Sequence, residues 1–336
     1  LQDVEGVRRD IRIANLSLLN TPWYIKQLKN TSPYGALPVA LSLSDRDIDR
    51  IGPSKWEPRE MSIPVPEQAY TEYSLYESEN IDSVYKVSSA DTNSGEIKWM
   101  MNNTTSYGNI PVVRAQDIIV LDMVKANEWK RPIYFAVTCS DAARIGLDEY
   151  LQMEGMAFRL VPKKRTSPAY YINESIMQTQ LFDEPEGYSR DYKPGFKFRG
   201  LNDESIFLDN NHQRLAQNYR NSFLRLAIHY LDSGKKSEAI KTLDEMEAKL
   251  PRKTVEMRYE LMNDLSSLYN SAGAKEQAAE LAAELEPLML KKIEENPRDF
   301  QRQYNPYVVL RDIYENREDY NSLVELFSGL QKEIPD

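Results

Sequence analysis

The chain has 336 residues, 41% hydrophobic and 28% charged, which is enough for two domains at about 100–200 residues each. A net charge of -10 with scattered basic residues excludes nucleic acid as a primary partner, because phosphate binding needs a positive stripe and the densest basic cluster is only Lys163-Lys164-Arg165. A single cysteine, Cys139, excludes an internal disulfide framework and a cysteine-based zinc site; with only two histidines, no metal or other cofactor is expected.

No run approaches the roughly 20 apolar residues that span a bilayer, and no secretory leader pattern is present. In chain order, Ile11 to Leu16 reads as a core strand. Thr21-Pro22 then signals a helix start, a hydroxyl cap followed by proline at the first helical position, and Trp23 to Leu28 continue it. Asp117 caps a second helix carrying Ile118, Leu121 and Val124 at helical spacing and ending near Asn127. Arg131 to Val137 follows as a strand, Leu147 to Leu151 as a helical turn, and Met156 to Val161 as a third strand. This alternation predicts an α/β domain over 1–165 with a mixed, partly parallel sheet. Inside it, 54–109 shows no strong periodicity and reads as a surface excursion, a lid or a binding loop. Residues 166–209, rich in Pro, Gly and aromatics, read as a connector.

From 210 to 336 the pattern is helical and repeats. Tetratricopeptide-like units place large, small and aromatic residues on one helix and small and bulky residues on the next. The first copy reads Leu226, Ala227, Tyr230, Gly234, Ala239, Leu243, Met246, Pro251. The second reads Leu265, Ser266, Tyr269, Gly273, Ala278, Ala282, Leu285; the third Tyr307, Leu310, Tyr314, Leu323, Phe327, Leu330, Pro335. A generic helical bundle is the plainer alternative. Such repeats hold a protein or peptide partner rather than perform chemistry.

The stretch Glu5 to Tyr24, with Arg131-Pro132-Ile133-Tyr134-Phe135-Ala136, Glu154 to Pro162 and Phe196 to Leu201, resembles the soluble region of domain-of-unknown-function family 2723. These are Bacteroidetes-type membrane proteins related to transmembrane protein 260 and the protein O-mannosyltransferases. The resemblance implies transmembrane helices upstream of Leu1, a periplasmic location and a sugar-transfer centre among those helices. This chain would then be the non-catalytic part of a glycosyltransferase, its repeats recruiting an acceptor protein or assembly partners.

The best small-ligand candidate is the turn after the first apolar stretch, where Asn15, Ser17, Asn20, Trp23 and Tyr24 gather. Aromatic and amide groups together suit a glycan, and ligands of open α/β sheets bind beyond the strand ends. In the competing reading, Asn20 and Thr21 cap a helix while Trp23 and Tyr24 pack in the core. Thr138-Cys139-Ser140-Asp141 holds a possible nucleophile without a base nearby, so Cys139 reads as an apolar filler and Ser140 or Asp141 as a cap. Glu280, Glu284 and Glu286 read as a solvated helix face. Asp82-Ser83-Val84 is similar to the acceptor tripeptide of Bacteroidetes O-glycosylation, which would place a sugar on Ser83. Two rivals remain: the α/β domain as a carbohydrate-active enzyme, and the chain as a pure protein-binding adaptor.

Overall fold

The computed structural model describes residues 8, 10–69, 95–165, 171–187, 193–300 and 304–333, and divides the chain into two compact units, Leu1–Lys197 and Phe198–Asp336. Ser83 and the tyrosines from 70 to 85 lie outside the described residues.

The first unit opens on helix α1 (Pro22–Asn30), with Pro22 at its start and Ile25 and Leu28 buried at helical spacing. Thr21 occupies the cap position, but its hydroxyl donates backward to the Leu18 carbonyl at 2.6 Å instead of accepting from the helix. Helix α2 (Asp45–Asp49) is closed by a capping box between Ser44 and Asp47. Strands β1 (Ser54–Lys55), β2 (Arg59–Pro64), β3 (Glu96–Met101), β4 (Thr105–Tyr107) and β5 (Ile110–Val113) lead into helix α3 (Ala115–Ala126). Strands β6 (Tyr134–Ala136), β7 (Leu151–Glu154) and β8 (Ala157–Leu160) and helix α4 (Glu174–Phe182) complete the unit.

The expected partly parallel sheet is replaced by three small antiparallel sheets, ordered β1-β5-β4, β2-β3 and β6-β8-β7. Their connections explain this. A parallel pair needs a crossover of a dozen or more residues, normally a packed helix. Here β7 turns into β8 through Gly155, whose φ of 67° suits a tight reversal, and β6 reaches β7 through two 3-10 turns, Asp141–Arg144 and Leu147–Tyr150. Met153 and Ile172 form an isolated parallel bridge.

The expected strand over 11–16 is also absent, since those residues form no strand and Ile13 is 66% exposed. Conversely, β2 and β3 fall in the stretch that carries no evident sequence pattern. In β3, Ile97, Trp99 and Met101 are buried while the residues between them face outward, a period-two signal too short to register beside its irregular neighbours. Asp117 is the third residue of α3, not its cap; its carboxylate accepts from the Arg114 amide at 3.2 Å, because Arg114 holds the cap position. Three indoles are buried and each donates to a backbone carbonyl: Trp56 to Met101, Trp99 to Ile145 and Trp129 to Pro64, at 2.8–2.9 Å. That satisfies the single polar atom of each ring.

The second unit is helical: α5 (Asn210–Asp232), α6 (Lys236–Lys249), α7 (Tyr259–Ala272), α8 (Lys275–Glu295), α9 (Pro306–Arg317) and α10 (Tyr320–Glu333). Asp209 caps α5 by accepting from the Asn211 and His212 amides. These bonds hold the Asp209 carboxyl below the usual range. The α5/α6, α7/α8 and α9/α10 turns share one geometry. Each has a left-handed residue four positions after a buried tyrosine: Gly234 after Tyr230, Gly273 after Tyr269, Glu318 after Tyr314. The next amide in each, Lys235, Ala274 or Asp319, donates to that tyrosine's carbonyl at 2.8–2.9 Å.

Glycine adopts this conformation freely and a residue with a Cβ does not. Nothing lies within 4 Å of a Cβ built on Gly273, so the cost of Gly273→Ala is conformational alone. It is expected to lower stability by about 1 kcal/mol, while Glu318→Gly raises it by up to a similar amount. Denaturant unfolding followed by the helical dichroism signal measures both.

Candidate functional site

The five residues proposed as a ligand turn are close together, but most are used in holding the chain. The Tyr24 hydroxyl accepts from the Asn15 amide at 2.9 Å and donates to the Ile13 carbonyl at 3.2 Å, pinning the extended stretch along α1. The Asn15 side chain accepts from the Leu18 amide. Asn20 makes a two-way tie to Gln116, its Nδ2 donating to Oε1 at 2.9 Å and its Oδ1 accepting from the Gln116 amide at 3.1 Å. The Ser17 carbonyl accepts from Asn20. Trp23 stands apart: it is 60% exposed and meets Tyr24 edge-on at 5.7 Å instead of packing in the core. The stretch that leads into this turn is no strand, so the turn does not follow a strand end as the sequence pattern suggested.

A cavity that the sequence does not announce lies between the end of β2 and the turn after α3. It has a volume of about 740 Å3 and is lined by Ile63, Val65, Ala69, Lys125, Glu128 and Trp129, among others. That volume falls within the small-ligand range. Its floor rests on two consecutive left-handed residues, Glu128 (φ 47°) and Trp129 (φ 59°), with no glycine in the sequence to mark the turn. Glu128 is ion-paired to Lys130, which holds its carboxyl below the usual range. A general acid would need the opposite shift.

Two buried polar clusters brace the first unit, one on the β6-β8-β7 sheet and one at the start of α3. Glu154 and Arg159 pair at 3.6 Å across β7 and β8, with the Tyr134 hydroxyl donating to Glu154 at 2.8 Å and Asn173 at 3.3 Å. Asp117, fully buried, accepts from Arg114 Nε at 2.8 Å, from Arg114 Nη2 at 3.1 Å and from the Thr104 hydroxyl. Cys139 is half-buried and its carbonyl accepts from Arg144; Ser140 holds the cap position of the following 3-10 turn without a side-chain bond. Glu284 and Glu286 are engaged by Arg252 and Arg317. Among the described residues, no group of three or more His, Cys, Asp or Glu could hold a metal ion.

Small antiparallel sheets in one unit and paired helices in the other define a mixed α and β protein with two separate cores. Among the described residues, no helix is long and apolar enough to cross a membrane. The model of TMEM260-associated domain 2 matches residues 1–109 and 76–180, which together reach over more than half of the 336 residues. The chain belongs to that family, in keeping with a TMEM260-like membrane protein. No curated protein and no solved structure matches it.

Proposed function

We propose that this chain is the non-catalytic, periplasmic region of a membrane-embedded glycosyltransferase, similar to the protein O-mannosyltransferases and belonging to domain-of-unknown-function family 2723. In this reading its helical hairpins are tetratricopeptide-like repeats that recruit an acceptor protein or an assembly partner. The observation that carries the recruitment role is the repetition of one turn geometry at Tyr230–Gly234, Tyr269–Gly273 and Tyr314–Glu318. The two full copies also bury matching positions: Leu226, Ala227 and Tyr230 correspond to Leu265, Ser266 and Tyr269. The third departs, with Arg311 where the small residue falls and Phe327 45% exposed. Stacked hairpins present extended surfaces suited to peptides. The family match supports the membrane setting, while the periplasmic side and the transferase rest on the resemblance of Glu5 to Tyr24 and its companion blocks.

The test compares glycosylation of periplasmic proteins in cells carrying the full-length protein with cells lacking 210–336. Loss of sugar from a subset of acceptors, with the membrane part still present, supports the reading. Unchanged glycosylation overturns the recruitment role. The cavity at Trp129 favours one alternative, a carbohydrate-active first unit; sugar transfer by the isolated chain would establish it.

A further inference from the structure

The stretch 11–15 belongs to no helix or strand, and its residues alternate between exposed and half-buried. Ile11 and Ile13 are on the exposed side, at 40% and 66%. The stretch is held along α1 at both ends, by Tyr24 and by Arg12, whose Nη1 donates to the Thr31 carbonyl at 3.3 Å. On the other flank, the Val39 amide donates to Leu28 of α1 at 2.9 Å, which brings Leu37, 63% exposed, to the same helix. Arg131, far away in sequence, clamps that flank by donating to the Leu37 and Pro38 carbonyls at 3.3 and 3.0 Å.

The charges here are unusual. Lys26 and Lys29 of α1 are neutralised by Asp49 and Asp45. Arg12 and Arg131 bond only to backbone carbonyls, and neither forms an ion pair among the described residues. Partial burial lowers the Arg12 pKa and the like charge of Arg131 lowers it further, so the two guanidiniums lie within electrostatic reach of each other. Trp23 is equally out of pattern, since the other three tryptophans are at most 8% exposed.

Tryptophan, branched aliphatics and arginine together are the set that occupies a membrane interface. The indole sits at headgroup level, the aliphatics enter the acyl boundary and the guanidiniums meet phosphate. We infer that Ile13, Trp23 and Leu37, flanked by Arg12 and Arg131, form a face that docks on the surface of a bilayer containing anionic lipid. The inference shares with the proposed function only the presence of a membrane; it needs neither the transferase nor the repeats.

The test mixes the whole chain with vesicles of phosphatidylcholine alone or with phosphatidylglycerol added, and follows flotation and tryptophan quenching by brominated acyl chains. Binding to the anionic vesicles is expected, with quenching that Trp23→Phe abolishes because the remaining indoles are buried. Arg12→Gln and Arg131→Gln should each weaken binding about fivefold. Because Arg131 also holds backbone, the Ile13→Ser/Leu37→Ser variant provides a second reading; its melting temperature should be unchanged while its vesicle binding falls. A chain that never floats with anionic vesicles, or that floats equally in every variant, overturns the assignment and leaves this face to be covered by protein. Acceptor glycosylation in cells depends on 210–336 and vesicle binding on this face, so either result can fail without the other.

Discussion

Replacing Arg220 with methionine is expected to destabilise the helical unit by about 3–5 kcal/mol, the largest effect of any single substitution considered. Arg220 projects from α5 and is fully buried, with no carboxylate among its hydrogen-bond partners. Its Nη2 donates to the carbonyls of Leu250 and Val255 at 2.9 and 2.7 Å, and its Nη1 to Gln217 and to the Glu256 carbonyl at 2.8 and 3.2 Å. Leu250 is the C-cap of α6, where unpaired carbonyls and the helix dipole both favour a cation. One side chain therefore closes a helix end and fixes the link into α7.

Methionine would fill much of the volume but leave the Leu250 and Val255 carbonyls without their donor, whereas the Glu256 carbonyl keeps Gln217 Nε2 at 2.9 Å. Lysine would keep the charge but not the planar fork, so Arg220→Lys should recover less than half of the loss. Burial, and then the charge of Arg252, pull the Arg220 pKa down to about 10. A base with a depressed folded pKa carries a constant cost while protonated, relieved only as pH rises above that value. The contribution should therefore be flat from pH 6 to 9. Thermal unfolding at both ends of that range, followed by helical dichroism, checks the size and the flatness together.

Asp117→Ala is expected to cost the first unit about 2–4 kcal/mol. The carboxylate is fully buried and joins the start of α3 to the segment leading into β4, through the Arg114 guanidinium, the Arg114 amide and the Thr104 hydroxyl. Arg114 is partly exposed and can turn to water when its partner is lost, which keeps the penalty below that at Arg220. The amide and the hydroxyl have less freedom. Asp117→Asn preserves the shape and one acceptor but presents an amine to existing donors, so about half the loss should remain. Denaturant midpoints of the two variants and of Thr104→Val would separate the shares of charge and hydroxyl.

What the sequence alone determined is local. The helix beginning at Pro22 and the run of helices from 210 onward were legible because caps, prolines and apolar spacing act over three or four neighbours. Gly234 and Gly273 marked two hairpin turns for the same reason, whereas Glu318 adopts the same conformation without advertising it.

The tertiary structure decided everything that needed a distant partner. Ile11 to Leu16 has the composition of a strand, but a strand exists only where another pairs with it. Here the Tyr24 hydroxyl meets the Asn15 amide and the Ile13 carbonyl instead, while Arg12 ties the stretch to the Thr31 carbonyl, leaving Ile13 and Trp23 in the open. The antiparallel pairing of β6, β7 and β8 was set by tight connections, and the cavity at Trp129 by a left-handed turn without glycine. Of the proposed ligand turn, its closeness in space followed from closeness in sequence. That Asn20 would be tied to Gln116, and Arg12 brought near Arg131, did not, because no local periodicity records which surfaces meet when the chain closes its core.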